Sequence, residues 1–549
     1  MSINWLSLFA LATPLAGAFL VWLLPARRAL LVPRRCLYGA CLGVVNILVL
    51  VAGAQHAELT LPFWGVLAPA GEALRFSFDA LGTTMVLLLS GPLALAGIAL
   101  LTRPLERLEA VGLLTLLAAG IGACTAGNLL TLCLAWGLMD LAMLIMDTRR
   151  MPEEGLPHAV RDVVLNAFST IALMAATVLL GAAQGHTAFP ELVLAGTPLK
   201  LLMAAALLRL GVYPLPGSLK RRWESYLVSL SVGGCLWLRL AGLAPIGQFR
   251  VDWLISLSVW GLFLTGVLAS LATDFATALP YIILHGVAAA TFAPMLLAKE
   301  GIGIAFLFLA NASLCLALLR VDVQVRAVPP LGRWARLPLV IALGSLSGWP
   351  LTAGILARWS LIRLAWVTDA RLLVLVEALS FLLVSVPIWR RLRVVLRETR
   401  TRGNLPLWSI YLAFGCAALV ALLLVALSVD ASLAGLVRLG STAELPGIRL
   451  LFSADAQLLG LLGLTVLVFP ILGGYALQRL WARPSRWLLQ GFDAFSALLE
   501  LDWLYAGLER ALYRLGRWLH AASLAVEETF SLGWVLIWGL VILLYLVGR

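Results

Sequence analysis

Long apolar stretches separated by short polar loops run along almost the whole chain. Most of them reach the roughly 18 residues at which an apolar run becomes long enough to cross a bilayer as a helix. They predict an all-α polytopic membrane protein with about sixteen transmembrane helices, at approximately 3–24, 36–54, 79–101, 109–126, 128–147, 160–182, 198–216, 225–246, 252–272, 278–297, 301–320, 338–366, 371–390, 407–429, 457–478 and 531–548.

Two of these stretches are interrupted by the same kinds of residue. The seventh carries Arg209 shortly before a glycine and Pro214, and the twelfth carries a glycine and Pro350 before Arg358. Proline removes a backbone donor, and an arginine at mid-membrane costs roughly 2.5–3.5 kcal/mol on insertion scales. Lipid tolerates such groups only where protein or trapped water satisfies them. Paired broken helices in the two halves of a chain therefore indicate a transport path between internal repeats.

The segment 486–524 has a different pattern, because leucines recur every three or four residues from Leu498 to Leu519. Arg510, Arg514 and Arg517 occupy the other faces. This spacing predicts an amphipathic helix lying along the cytoplasmic interface. Such a helix serves either as an anchor on the lipid surface or as a strut that braces this subunit or a neighbour.

Composition and charge agree with the membrane assignment. Of 549 residues, 62% are hydrophobic and 12% are charged, with a mean hydropathy of +0.99. The net charge of +12 does not indicate nucleic-acid binding, because the arginines cluster in short loops between spans. They concentrate in alternate loops, so the positive-inside rule places both termini outside the cytoplasm.

Residue patterns for cofactors are missing from the sequence. None of the seven cysteines forms a C-x-x-C pair, which argues against an iron–sulfur or zinc site. There is no glycine-rich phosphate loop and no dinucleotide fingerprint. We therefore predict no cofactor, no metal and no catalytic or redox site in this chain; oxidoreductase chemistry would belong to partner subunits.

Six stretches between residues 76 and 391 resemble one family of membrane subunits. They are Phe76–Leu81, Asn128–Trp136, Arg209–Pro214, Asp274–His285, Phe306–Ala310 and Gly348–Arg358. In this order, they are similar to motifs of the antiporter-type subunits shared by respiratory complex I, membrane-bound hydrogenases and Mrp-type multisubunit cation/proton antiporters.

The resemblance implies an architecture and a function. It implies two inverted five-helix repeats, each with a broken helix, within segments 106–247 and 248–400. An N-terminal three-helix segment, 1–105, would precede them, and an extension, 401–549, would add two or three transmembrane helices. Such a subunit lies in a bacterial or archaeal inner membrane, and it moves protons or Na⁺ through a hydrated polar axis coupled to other membrane subunits.

Several positions depart from the family pattern. The glutamate that follows tryptophan in the fifth span of the family is Gly137 here, and Asp140 lies one turn, roughly 5 Å, further on. Asp140 either replaces that acid or pairs with an arginine. The positions of three axis lysines are occupied by Arg209, Arg239 and Arg358. A buried lysine exchanges protons, whereas arginine stays charged.

These substitutions leave few titratable groups at the level of the membrane. A further central lysine position is Ile304, so Asp140, His285 and Glu377 are the main candidates. One hypothesis is ion conduction that uses these groups, with the arginines as fixed charges. A second is a non-conducting scaffold or coupling subunit, and a third is the membrane partner in an inorganic-carbon uptake system. The predicted ion pathway comprises Asp140, Arg209, Arg239, His285, Arg358 and Glu377, with helix breaks at Pro214 and Pro350.

Overall fold

The computed structural model describes residues 4–24, 31–62, 73–100, 107–148, 156–212, 223–245, 249–272, 274–325, 337–349, 352–397 and 468–479, with scattered positions beyond 479. These residues form one short hairpin and a series of α-helices. The strands are β1 (Glu58–Leu61) and β2 (Leu74–Ser77). The helices are α1 (Trp5–Leu23), α2 (Leu31–Ala54), α3 (Ala80–Leu100), α4 (Arg107–Cys124), α5 (Leu129–Thr148), α6 (Leu156–Gln184), α7 (Gly196–Leu210), α8 (Trp223–Leu243), α9 (Asp252–Leu271), α10 (Phe275–Leu296), α11 (Ala298–Val325), α12 (Leu337–Leu346), α13 (Ala353–Val367) and α14 (Arg371–Arg397).

The predicted class of fold is confirmed. Within the described part of the chain, ten helices are long and apolar enough to cross a membrane, so this is a multi-pass α-helical membrane protein. The predicted spans 407–429 and 531–548 and nearly all of the amphipathic segment 486–524 lie outside the described residues. Residues 468–479, inside or beside the predicted span 457–478, are helical. The count of sixteen spans and the inverted repeats stay predictions.

The chain divides into two compact units. One comprises Met1–Gly155 and Asp162–Pro484, and the other comprises Leu156–Arg161 and Ser485–Arg549. All contacts described below belong to the first unit. At its centre lie α8, α10 and α11, whose apolar windows are 89%, 89% and 100% buried, whereas only 28% of the α6 window is buried. The central helices therefore pack on protein all round, and α6 is one of those that face outward.

Helix α7 ends just before the first predicted break. Gly211 adopts a left-handed backbone with φ 68°, which glycine accepts without steric cost. The amide of Gly211 bonds the carbonyl of Leu208, and the amide of Val212 bonds that of Leu207, as in a Schellman motif. Tyr226 of α8 donates its hydroxyl to the free carbonyl of Leu210 at 3.1 Å. The helix end is thus satisfied inside the protein, although Pro214 itself lies outside the described residues.

The second break separates α12 from α13 and has the same backbone geometry. Gly348 has φ 63°, its amide bonds the carbonyl of Ser345, and the amide of Trp349 bonds that of Gly344. Here Arg358 donates to the free carbonyl of Leu346 at 3.4 Å. The sequence predicted an interrupted span at 338–366, and the gap between α12 and α13 lies inside it. Pro350 lies outside the described residues.

Gly354, in the first turn of α13, makes the close crossing at this break possible. A Cβ atom at Gly354 would overlap the backbone carbonyl of Ser345, which cannot move without shifting α12. We expect Gly354→Ala to lower the unfolding free energy by about 1–3 kcal/mol or more, measured by denaturant titration in detergent. Gly137→Ala is the matched control, because a Cβ there meets no atom within 4 Å. Equal stability of the two variants would contradict the close crossing.

The hairpin is hydrogen-bonded to the loop that follows α4. β1 pairs with β2 in antiparallel register, with Glu58 opposite Ser77. The amide of Ser77 bonds the carbonyl of Thr125 just past α4, and the amide of Gly127 bonds the carbonyl of Arg75. Strand β2 therefore also pairs with the loop after α4, and this pairing places that loop's carbonyl groups within reach of α8.

Candidate functional site

Three buried arginines share one pattern of contacts. Each guanidinium bonds one carboxylate and lies over one aromatic ring, with 4.6, 4.8 and 3.7 Å between the guanidinium carbon and the ring centroid. Such a pattern compensates the charge by a carboxylate and by the ring quadrupole. The three sets are Arg209 with Asp140 and Trp136, Arg239 with Asp79 and Phe189, and Arg358 with Glu377 and Phe381.

The first set joins α5, α6 and α7. Arg209 in the last turn of α7 donates to both carboxylate oxygens of Asp140, the second at 3.1 Å, and Nη2 also lies 3.3 Å from the Thr170 hydroxyl. Thr170 donates to Asp140 Oδ2 at 2.6 Å. The Arg209 side chain is fully buried, while that of Asp140 is 23% exposed. The result is a bidentate pair held by a third helix, at a helix C-terminus that favours positive charge.

The structure shows one of the two contacts that the sequence suggested for Asp140. Asp140 does pair with an arginine, Arg209. The position that the family fills with an acid, Gly137, has open space where a side chain would begin. One turn of α5 thus separates the pairing carboxylate from the family position. Whether Asp140 also takes over proton transfer stays a prediction.

The second set lies near the C-terminal end of α8 and beside the hairpin. Arg239 donates to the carbonyl of Ala126, to that of Cys124 at 3.4 Å, and to Asp79 Oδ2 at 2.9 Å. Asp79 also accepts the amide of Gly82 at 2.6 Å, at the beginning of α3. Arg239 therefore ties α8 to the beginning of α3 and to the end of α4. These contacts indicate a structural role for Arg239.

The third set is more deeply buried and lies at the second helix break. Arg358 Nη1 donates to Glu377 Oε1 at 2.6 Å, and Nη2 donates to the Leu346 carbonyl. The side chains of Arg358 and Glu377 are 6% and 3% exposed. The Arg358 side chain also passes Gly348, where a Cβ would lie 3.4 Å from Arg358 Cδ. The left-handed glycine thus makes the break and leaves room for the arginine.

His285 of α10 adds a second titratable group to this set. Its Nε2 lies 2.9 Å from the Ser380 hydroxyl and 3.8 Å from Glu377 Oε2. His285 and Ser380 are fully buried. Glu377 Oε2 and His285 Nδ1 have no hydrogen-bond partner among the described residues. We call Arg358, Glu377, His285 and Ser380 the second-half cluster; unlike the Arg209–Asp140 pair, it has unused bonding capacity on two titratable side chains.

Apolar side chains of α11 and α3 pack closely against α8 at Gly234. A Cβ at Gly234 of α8 would contact Leu309 of α11 and Met85 of α3, and Ile304 is 3% exposed. Two buried hydroxyls in this region of the fold, on Ser231 and Ser313, have no partner among the described residues. The contact of Gly234 with α11 is thus apolar, and buried serines lie on both helices.

The predicted site residues therefore fall into three places. Asp140 lies with Arg209, and Glu377 lies with Arg358 and His285. Arg239 forms a separate ion pair with Asp79. Sequence reasoning missed Thr170, which bonds Asp140, and Ser380, which contacts His285 beside Glu377. Ser380 lies three residues after Glu377, and this helical spacing is the signal that could have found it; Thr170 lies on another helix and had none.

Comparisons with known proteins place this fold among membrane-complex subunits. No protein-family model matches the chain, and no curated protein matches it. The Mrp complex from Dietzia sp. DQ12-45-1b contains a similar chain: TM-score 0.74, 18% identity, over 99% of this chain and 62% of that one. This chain therefore spans less than two thirds of the Mrp chain.

Two respiratory assemblies contain similar chains. In the archaeal membrane-bound sulfane sulfur reductase the TM-score is 0.68 at 16% identity, over 98% of this chain and 99% of that chain. In respiratory complex I from Thermus thermophilus the TM-score is 0.64 at 17% identity, over 79% of this chain and 98% of that chain. At these identities the likeness shows the fold: it is the one shared by such membrane subunits, which confirms the resemblance identified in the sequence.

Proposed function

We propose that this chain is an antiporter-like membrane subunit of a multisubunit assembly, and that it takes part in proton translocation through the second-half cluster. One observation carries the proposal. Glu377 and His285, both buried, approach to 3.8 Å beside a helix break, and each keeps one polar atom without a partner among the described residues. Ionisable groups inside a membrane are costly and mark ion paths or proton relays.

The chemistry of the cluster favours a proton over Na⁺. Glutamate and histidine both gain and lose protons, and an unperturbed histidine does so near neutral pH. Sodium would need several oxygen ligands, whereas Glu377 already binds the cationic Arg358 and its other neighbour is an imidazole. Arg358 does not titrate, so its role is to hold Glu377 in place and to supply a fixed positive charge.

The Arg209–Asp140 pair has a different role in this proposal. Its cation cannot release a proton, and both oxygens of its carboxylate already accept bonds from Arg209 or Thr170. We assign it to holding α5, α6 and α7 together. Arg239 has the corresponding role for α3, α4 and α8.

A non-conducting scaffold or coupling subunit is the second candidate function. The apolar contact of Gly234 with Leu309 favours it, because a relay across both halves needs polar groups or water where α8 meets α11. The two candidates make opposite predictions for transport by variants of the second-half cluster.

The proposal also includes the partners, the membrane location and the repeats of the subunit. Other membrane subunits would be its partners, as the similar chains are subunits of such complexes. We place it in a bacterial or archaeal cell membrane, as its resemblance to such subunits implies, and the alternation of arginine-rich loops supports both termini outside the cytoplasm. The matched geometry at Gly211 and Gly348 supports two inverted repeats within 106–247 and 248–400.

Replacing His285 tests the proposal. We expect His285→Asn to slow proton flux by about tenfold or more when the assembly is reconstituted in liposomes, because loss of an acid–base group typically costs about 10²–10⁴-fold. His56→Asn is the control, since His56 is exposed and its positive φ suits asparagine. Wild-type flux in the His285→Asn assembly would favour the scaffold function.

A further inference from the structure

The Ser380 hydroxyl has two neighbours that compete for one hydrogen. Its Oγ lies 3.1 Å from the backbone carbonyl of Glu377, which can only accept, and 2.9 Å from His285 Nε2. A serine hydroxyl carries one hydrogen and two lone pairs. If that hydrogen is donated to the carbonyl, Nε2 must be the donor in the second contact.

The other edge of the ring decides between the two arrangements. His285 Nδ1 is buried without a partner among the described residues. If Ser380 donated to Nε2, the neutral ring would carry its hydrogen on Nδ1, as a buried donor without an acceptor. Orphaned buried N–H groups are rare, and an unused lone pair is tolerated better. The contacts therefore favour hydrogen on Nε2 and a free lone pair on Nδ1.

The position of Ser380 is set by close packing of α14 against α9. A Cβ at Gly266 of α9 would lie 2.8 Å from the Ser380 carbonyl and 3.2 Å from its Cβ. Among the described residues, the charged groups that face the His285 ring are Arg358 on α13 and Glu377 on α14. On α11, Phe308 approaches the neighbouring Gly286. Ser380 is thus held at a fixed place beside the ring.

We propose that Ser380 is a positioning residue that holds neutral His285 in the Nε2–H tautomer, so that Nδ1 is the atom that accepts a proton. This inference rests on the proposed function for its consequence in transport, but not for the tautomer itself. In the step concerned, a hydronium ion delivers its proton to the Nδ1 lone pair. An N–H bond forms, an O–H bond breaks, water is released and the ring becomes imidazolium.

The tautomer can be measured in the unaltered protein. Nitrogen NMR of the full chain, labelled in its five histidines and embedded in lipid, distinguishes a protonated ring nitrogen from a bare one, and His285→Asn assigns the signal by its loss. We expect a neutral ring with hydrogen on Nε2. A neutral ring with hydrogen on Nδ1 would overturn the inference without any variant of Ser380.

Ser380→Ala tests the role of the hydroxyl. Without the Ser380 oxygen as acceptor, the ratio of the Nε2–H tautomer to the Nδ1–H tautomer should fall by about fivefold. This factor corresponds to the net free energy of one neutral hydrogen bond. Ser385→Ala is the matched control, because Ser385 is equally buried on α14 and donates to its own helix at Phe381. An unchanged tautomer ratio in Ser380→Ala would overturn the inference.

Proton flux separates this inference from the proposed function. If both are right, Ser380→Ala changes the pH profile of flux, and Ser385→Ala leaves the profile as in the wild type. If flux depends on His285 but neither the tautomer nor the profile responds to Ser380→Ala, only the positioning role fails. If flux does not depend on His285, the proposed function fails, whereas the NMR result still decides the tautomer.

Discussion

Replacing Asp140 by leucine is expected to destabilise the protein strongly. The Arg209 side chain is fully buried and would keep its charge after losing both bonds to the carboxylate. Removing one partner of a buried ion pair typically costs about 3–5 kcal/mol. Because Asp140 is 23% exposed, we expect a value of about 3 kcal/mol, near the lower end of that range. The measurement is the free energy of unfolding in a detergent titration.

A second substitution should recover much of this loss. In the double variant Asp140→Leu with Arg209→Met, no buried charge remains, and replacing a whole buried pair by apolar side chains is often neutral. Asp252→Leu is the control, since Asp252 and its partner Arg250 are 90% and 65% exposed. The structural role of the pair would be refuted by a double variant as unstable as the sum of the single ones, or by an Asp140→Leu variant as stable as the control.

Glu377→Gln is expected to stop most proton transport while preserving the local structure. Glutamine has the shape of glutamate, and its amide oxygen can still accept from Arg358 Nη1, as Oε1 of Glu377 does. What it loses is the ability to bind and release a proton. We expect proton flux into liposomes to fall by about tenfold or more, in the range of lost acid–base groups.

An acid at the beginning of α11 provides the control for this prediction. Glu300 is exposed, so Glu300→Gln makes the same chemical change outside the second-half cluster and should leave flux unchanged. Assembly of each variant with its partner subunits is measured in parallel, because lost assembly would also lower flux. Wild-type flux with Glu377→Gln, in an assembled complex, would exclude Glu377 from proton transfer.

The helices themselves could be predicted closely from the sequence. Each span needs about 20 apolar residues, and this requirement is so strong that most predicted boundaries lie within a few residues of the observed ends. Within the span predicted at 198–216, α7 ends at Leu210, because Gly211 turns into the left-handed region. The break in the span predicted at 338–366 could be anticipated from the same kind of residue, Gly348.

The pairing of charged residues could be predicted only in part. One of the sequence hypotheses paired Asp140 with an arginine, but none joined Arg358 with Glu377 or brought His285 to them. The helices that carry these residues are apolar on most faces, so their pattern does not specify how each helix is rotated about its axis. That rotation is set by close contacts such as Gly266 with Ser380, which become visible only in three dimensions.

Proton flux through two altered assemblies tests the central claim most directly. Liposomes would contain the complex with either Glu377→Gln or the double variant Asp140→Leu with Arg209→Met, and proton uptake would be measured under the same driving force. Our account predicts flux reduced about tenfold or more for Glu377→Gln and close to wild type for the assembled double variant. Wild-type flux in both assemblies, or loss of flux in the double variant alone, would contradict it.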